Sequence, residues 1–391
     1  MRTNLRGVAM LSAVAAALVL VITFLWHDTA RPHTPVPPVV IEKGTAAMPR
    51  VALIAPREGL RPLPWNILGR TASTPDKKGY LQEWPGFHAE GRFTGTGVYL
   101  RFQDMSNRWR VTLDGGDGGR IDLARPGATD VRIDGLVPGE HLIRVEKISE
   151  SSMPASFGGV FIDDSASPLP APEPAARLIE FIGDSDTVGF ANGATSRDCT
   201  EEEIFAATDT SASFGPQVAA ALGADYRVIA RSGIGLLRNY GGASPETTMP
   251  SRYPLALPSD PHAAGQPQRP ADIVVTGLGS NDFGSDFAPG EVWRDQAALS
   301  RDFAPALTEF LRARVRENPQ ALQVLLAFGE YGDALVGPYR QAEAALKSDG
   351  ARVVLVVLPK LQRSACLWHP SAQDHRMIAR DIIHAIEGAG A

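Results

Sequence analysis

The hydrophobic period of this 391-residue chain changes near its middle, and that change limits the folds open to it. Between residues 51 and 164, apolar and polar residues alternate in short runs such as "GVYLRFQD", "RWRVTLDGG", "DVRIDGLVPGEH" and "LIRVEKI", broken by Gly, Asp and Pro. A period of two puts every other side chain on one face of a strand, so residues 51–165 are expected to form an all-β sandwich or barrel. From residue 178 the apolar runs become continuous: "RLIEFIG", "YRVIARSG", "ADIVVTGLG", "QVLLAFG" and "RVVLVVLP". Stretches of helical period separate them, among them "SFGPQVAAALGA", "RDFAPALTEFLRARVREN" and "PYRQAEAALKSDG". Strands that are apolar on both faces and alternate with helices indicate βαβ units and a parallel sheet, so residues 175–391 are expected to be an α/β domain. The bridge "DDSASPLPAPEPAAR", residues 163–177, has the Pro-rich composition of a domain boundary. The last segment opens with Ser371 as a helix N-cap and Asp374 three residues on, close to a capping box, which predicts a final helix.

At the other end, Arg2 and Arg6 precede an uncharged run, Gly7 to Trp26, of about the 20 residues that span a bilayer as one helix. The exit "WHDTARP" lacks the small residues of a cleavage site, which favours an uncleaved anchor in residues 1–30 over a cleaved signal peptide. Either way the basic residues stay inside, so the rest of the chain is expected to be periplasmic or extracellular. Residues 31–50 begin "RPHTPVPPVV" and are expected to be an extended, Pro-rich linker. A net charge of −6 without any Lys/Arg cluster excludes a nucleic-acid surface. The only two cysteines, Cys199 and Cys366, permit one disulfide in an oxidising compartment.

In an open parallel sheet the strand-to-helix loops gather at the carboxyl edge, and ligands bind there. Gly183-Asp184-Ser185 follows the first apolar run, Ser232-Gly233 the second and Gly279-Ser280-Asn281-Asp282 the third. His369 follows the last run and precedes the final helix, so all four groups should share one edge. A serine hydroxyl needs a base to take its proton, and a tetrahedral intermediate needs donors for its oxyanion. Ser185 can attack, His369 can act as base, and the Ser185 and Gly233 N–H groups with the Asn281 amide can hold the oxyanion. Each residue also has a plain structural use: Asp184 and Asp282 as turn formers, Gly233 as a bend, Asn281 as a loop residue. The Gly-x-Gly of "SGIGLLRNYGG" does not make a dinucleotide loop, because Arg238 stands where the third glycine would be. His369 and His375 fit no recognised metal-ligand pattern.

"GDS", Gly233, "GSND" and "HP" resemble the four sequence blocks of the SGNH/GDSL hydrolases, with Ser185, Gly233, Asn281 and His369 as the eponymous residues. More narrowly, "GDSDTVGFAN", "ARSGIGLLRNYGG", "GLGSNDF" and "WHPSAQDHRMIA" resemble the two-domain, acetyl-xylan-esterase-like carbohydrate esterase family 2. "GRFTGTGVYLRFQD", "VTLDGG", "LVPGEHLIRVEK" and "ASFGGVFID" are similar to that family's jelly-roll domain, so the likeness covers roughly residues 60–391. It implies a three-layer α/β/α domain after a jelly roll, and hydrolysis of O-acetyl groups on acetylated polysaccharide or oligosaccharide, without metal or other cofactor.

The likeness has gaps. Most SGNH hydrolases carry an aspartate three residues before the histidine, and related two-domain esterases often carry one two before; here Cys366 and Leu367 stand there. Loss of the triad acid costs a conventional triad about four orders of magnitude. Three expectations follow: a backbone carbonyl orients His369 in a Ser-His dyad, Glu330 or Asp333 reaches in from the loop after the fourth strand, or the site has decayed into a carbohydrate-binding one. Transfer of acetyl to another sugar hydroxyl is a further alternative. Cys199 and Cys366 flank the site and as a disulfide would brace the histidine loop; two inert thiols, or a reactive Cys366, are the alternatives. Trp368 could wall the substrate or simply pack, and Asp186 replaces the small or apolar residue usual after the serine.

Overall fold

The computed structural model describes residues 35–46 and 48–391. The expected anchor at residues 7–26 lies outside them, and among the described residues no helix is long and apolar enough to cross a membrane.

The first half is a 12-stranded, wholly antiparallel sheet. It closes around a core that includes Phe87, Phe93, Phe102, Trp109 and Phe157. Its backbone is two long strands, His88–Asp104 and Gly127–Lys147, paired with each other along their length with a register break between Asp134 and Gly139. On one side of the break Gly127–Lys147 takes Arg50–Ile54 as its outer neighbour, and on the other Arg108–Leu113. His88–Asp104 likewise pairs first with Trp65–Leu68 and later with Ala155–Ile162. A strand that changes partners at a bulge turns a corner between two layers, which is how one continuous sheet forms a jelly-roll sandwich.

Both edges of this domain differ from the sequence-based expectation. Within residues 31–50, Val39–Glu42 is a strand paired with Gly119–Ala124 rather than part of a linker. Pairing with Gly119–Ala124 holds these residues as a strand despite the neighbouring prolines. At the far end Ser167–Leu169, beyond the expected limit of 165, pairs with Arg92–Thr94.

The second half holds a five-stranded parallel sheet built from all five continuous apolar runs. In space the order is Asp225–Ala230, Leu178–Gly183, Ile273–Gly277, Leu322–Phe328, Val353–Leu358. Helices cover it: Phe214–Ala221 packs with Ala372–Gly388, and Gln296–Glu317 with Asp333–Ser348. Ser371 and Asp374 form the capping box that starts Ala372–Gly388. The chain leaves Leu178–Gly183 first to one side and later to the other, so the order reverses there. That reversal opens a crevice at the carboxyl end of this strand, where "GDS" lies.

The jelly roll is joined to this domain through partly buried polar contacts. Trp84 belongs to the α/β core, and its indole donates to the Leu255 carbonyl at 3.0 Å. Arg110 bonds Asp209 at 2.7 Å, Arg231 bonds Glu83 at 3.2 Å, and the Glu150 carboxylate accepts from Ser232 N–H at 3.0 Å.

Candidate active site

Ser185 is the first residue of the short helix Ser185–Val188 and is buried. Asp184 caps that helix by accepting from the Asp186 N–H at 3.0 Å, while its other oxygen meets the Ser280 hydroxyl at 2.5 Å. One carboxyl group thus ties the loop after the first strand to the loop after the third. Burial and the adjacent Asp186 charge push Asp184 well above the usual carboxylate range.

The loops of Gly233 and Asn281, expected as oxyanion donors, are held by the same device. The Asp282 carboxylate accepts from Leu236, Leu237 and Arg238 N–H groups at 2.9, 2.8 and 2.9 Å, which pins the Gly233 loop. Burial raises Asp282 to about 6 despite those bonds. Asn281 is buried and donates to the Ile234 carbonyl at 2.8 Å. An amide nitrogen carries two hydrogens, so one fixes the loop and the other remains for a ligand. Gly233 has φ +79°, a left-handed conformation that a side chain would strain. Arg238, which breaks the dinucleotide-like pattern, is buried against Glu291, Ser285 and Asp286 and so is part of the loop's internal structure.

His369 Nδ1 lies 3.0 Å from the Cys366 carbonyl oxygen. A carbonyl can only accept, so this contact places the proton on Nδ1 and leaves Nε2 with its lone pair. Phe190 packs on the imidazole with ring centroids 4.3 Å apart. Glu330 and Asp333, the two carboxylates expected as orienters, do not take this place. Glu330 binds the Arg363 guanidinium and accepts from Leu361 N–H at 3.2 Å. The Asp333 side chain is 92% exposed and faces Arg340. The strand before them, Leu322–Phe328, lies two places from Leu178–Gly183, so its loop meets the segment leading to His369 and not the ring.

Cys199 and Cys366 form a disulfide. The same two loops are also joined by Leu367 N–H to the Arg197 carbonyl at 2.9 Å and by Arg197 to the carbonyls of Gln362 and Arg363, each at 2.8 Å. Trp368 is 62% exposed, and the Arg197 guanidinium stacks 3.5 Å from its ring centroid. It is not core; Arg197 covers one of its faces.

Burial lowers the basicity of His369 below its ordinary value, while the Asp186 charge and the Cys366 carbonyl oppose that shift. A general base must be neutral to work, so protonation of His369 should switch the site off. We therefore expect the acid limb of kcat/KM to have its midpoint below about pH 6.5, the ordinary histidine value. A profile from pH 4 to 9 checks this, and a midpoint above 7 would contradict it.

Two residues at this edge have no signal in the sequence: Glu150, which arrives from the jelly roll, and Arg363, which bridges Asp186 and Glu330. Both act across large sequence separations, where neither period nor motif reaches.

A parallel sheet with "GDS", Gly233, "GSND" and His369 at one edge, behind a jelly roll, defines a carboxylic ester hydrolase of the SGNH type. Residues 67–172 match the family model described as "Carbohydrate esterase 2 N-terminal". The chain is 35% identical over 331 residues to an acetylxylan esterase / glucomannan deacetylase of Cellvibrio japonicus, covering 83% of this chain and 91% of the relative. A solved carbohydrate esterase whose active site is described as having divergent catalytic and non-catalytic binding functions is 33% identical, with TM-score 0.77 over 84% of this chain and 98% of that one. The family two carbohydrate esterase from Clostridium thermocellum, solved with cellohexaose, is 27% identical, with TM-score 0.71 over 83% and 98%. The chain belongs to carbohydrate esterase family 2.

Proposed function

We propose that the protein removes O-acetyl groups from a polysaccharide through a Ser185–His369 dyad and an acyl-enzyme intermediate. The observation that carries this is the 3.0 Å contact of His369 Nδ1 with the Cys366 carbonyl, an orienting partner that no side chain among the described residues provides. His369 Nε2 takes the Ser185 proton as Oγ attacks the acetyl carbonyl. The tetrahedral oxyanion is held by the Ser185 and Gly233 N–H groups and the Asn281 amide. The intermediate collapses as His369 protonates the departing sugar oxygen, leaving acetyl on Ser185. Water, deprotonated by the same imidazole, then releases acetate.

The names of the Cellvibrio relative, acetylxylan esterase and glucomannan deacetylase, support acetylated xylan or glucomannan as substrate. The open face of Trp368 is suited to wall a sugar ring beside the base. An N-terminal export segment at residues 7–26 fits a substrate met outside the cytoplasm. The test is acetate release by the full-length protein from acetylated xylan and acetylated glucomannan. Measurable acetate from either is the expected result; binding of both glycans with no acetate released would support a decayed, carbohydrate-binding site and overturn the proposal.

A further inference from the structure

We propose that Arg363, clamped between Asp186 and Glu330, is a positioning residue that locks the His369 loop onto the Ser185 turn; this rests on the Ser185–His369 reading above. Its guanidinium makes a two-pronged bond to Asp186, Nη1 to Oδ1 at 3.1 Å and Nη2 to Oδ2 at 2.7 Å. Its Nε donates to Glu330, and Nη1 lies 3.4 Å from the Trp368 carbonyl. One planar group therefore touches the residue after the nucleophile, the loop after the fourth strand and the residue before the base. Such a fork is geometrically specific in a way that a lysine is not.

The backbone of Arg363 is fixed too. Its N–H donates to Asp374 in the final capping box at 3.1 Å, and its carbonyl accepts from Arg197 at 2.8 Å. Arg363, Leu367 and Trp368 have φ +47°, +52° and +63°, left-handed values that strain residues other than glycine. A loop of this kind holds its shape only if its surroundings impose it. The disulfide does so on one side and the Asp186–Arg363–Glu330 cluster on the other.

The cluster also sets charge. His369 faces the anions Asp186 and Glu150 and the cation Arg363, and its field acts on the neighbouring His375. Asp186 raises His369 basicity and Arg363 opposes it. Burial works against the Asp186 charge, but Arg363 outweighs it and holds the carboxyl below its usual range. The carbonyl of Cys366 thus orients the ring while a nearby paired anion favours the imidazolium that forms as Ser185 attacks. These are two jobs that one aspartate does in a conventional triad.

The test compares Asp186→Asn, Arg363→Met and the double variant with wild type and Ser185→Ala, using kcat, KM and the pH profile on 4-nitrophenyl acetate, with thermal melting as a fold control. Arg363→Met should lower kcat about ten- to hundredfold, the cost of a displacement near 1 Å, with KM within about twofold. Asp186→Asn should lower kcat and move the acid limb to lower pH, since the imidazolium then faces Arg363 uncompensated. If a single variant fails to fold, the double variant, which leaves no unpaired charge at this pair, reads the same kcat loss. Folded variants with kcat within twofold of wild type and an unmoved acid limb would overturn the proposal. A wild type no better than Ser185→Ala would instead overturn the esterase reading, and this inference with it.

Discussion

Ser185→Ala should lower the rate of acetate release by about ten-thousandfold or more, the loss seen when a serine nucleophile is removed from a working dyad or triad. The structure gives reason to expect that the fold survives. Ser185 supports its turn through the main chain: its carbonyl accepts from the Gly189 and Phe190 N–H groups, both at 3.1 Å. The turn is capped by the side chain of Asp184, not by that of Ser185. An alanine at this position keeps those bonds and is a better helix former than serine. The measurement is acetate release from acetylated xylan by wild type and variant at matched concentration, with circular dichroism to show that both are folded. A variant that retains more than about a tenth of the wild-type rate would mean that another group attacks the ester.

Removal of the disulfide by Cys199→Ser with Cys366→Ser is expected to be the most destabilising of these changes. The two cysteines are 167 residues apart, and closing a loop of that length removes about 5 kcal/mol of unfolded-state entropy on the chain-entropy account; native bridges deliver about 2–5 kcal/mol in practice. Activity should fall as well, because Cys366 supplies the carbonyl that meets His369 Nδ1 and is followed by the two left-handed residues Leu367 and Trp368. Urea unfolding of wild type and double variant, with and without reductant, measures the first effect. Reductant should bring the wild-type midpoint down to that of the variant. If wild-type stability is unchanged by full reduction, the bridge does not contribute as argued. The kcat of the variant at a temperature where it is still folded measures the second effect.

Much of the architecture was legible because it is written in local periods. The five continuous apolar runs became the five parallel strands, and the alternating runs became the antiparallel jelly roll. Local composition also misled in places. Proline content hid the strand Val39–Glu42, and the bridge composition hid Ser167–Leu169, because an edge strand takes its stability from its partner rather than from its own sequence. The choice among orienters of His369 could not be made from sequence either. Glu330 and Asp333 have the right chemistry and follow the right kind of strand, yet one is taken by Arg363 and the other points to solvent.

Readable from the residues alone were the two-domain layering, the carboxyl edge that gathers "GDS", Gly233, "GSND" and His369, and the absence of an acid two or three residues before the histidine. Those are properties of spacing, which period and strand order transmit without reference to distant contacts. It took the packed fold to bring the Cys366 carbonyl to the imidazole, Arg363 between Asp186 and Glu330, and Glu150 from the jelly roll to Ser232. The physical reason is the same in each case. A buried polar group must find a partner, and several here could pair in more than one way. Which partner it meets depends on how segments far apart in the chain pack together.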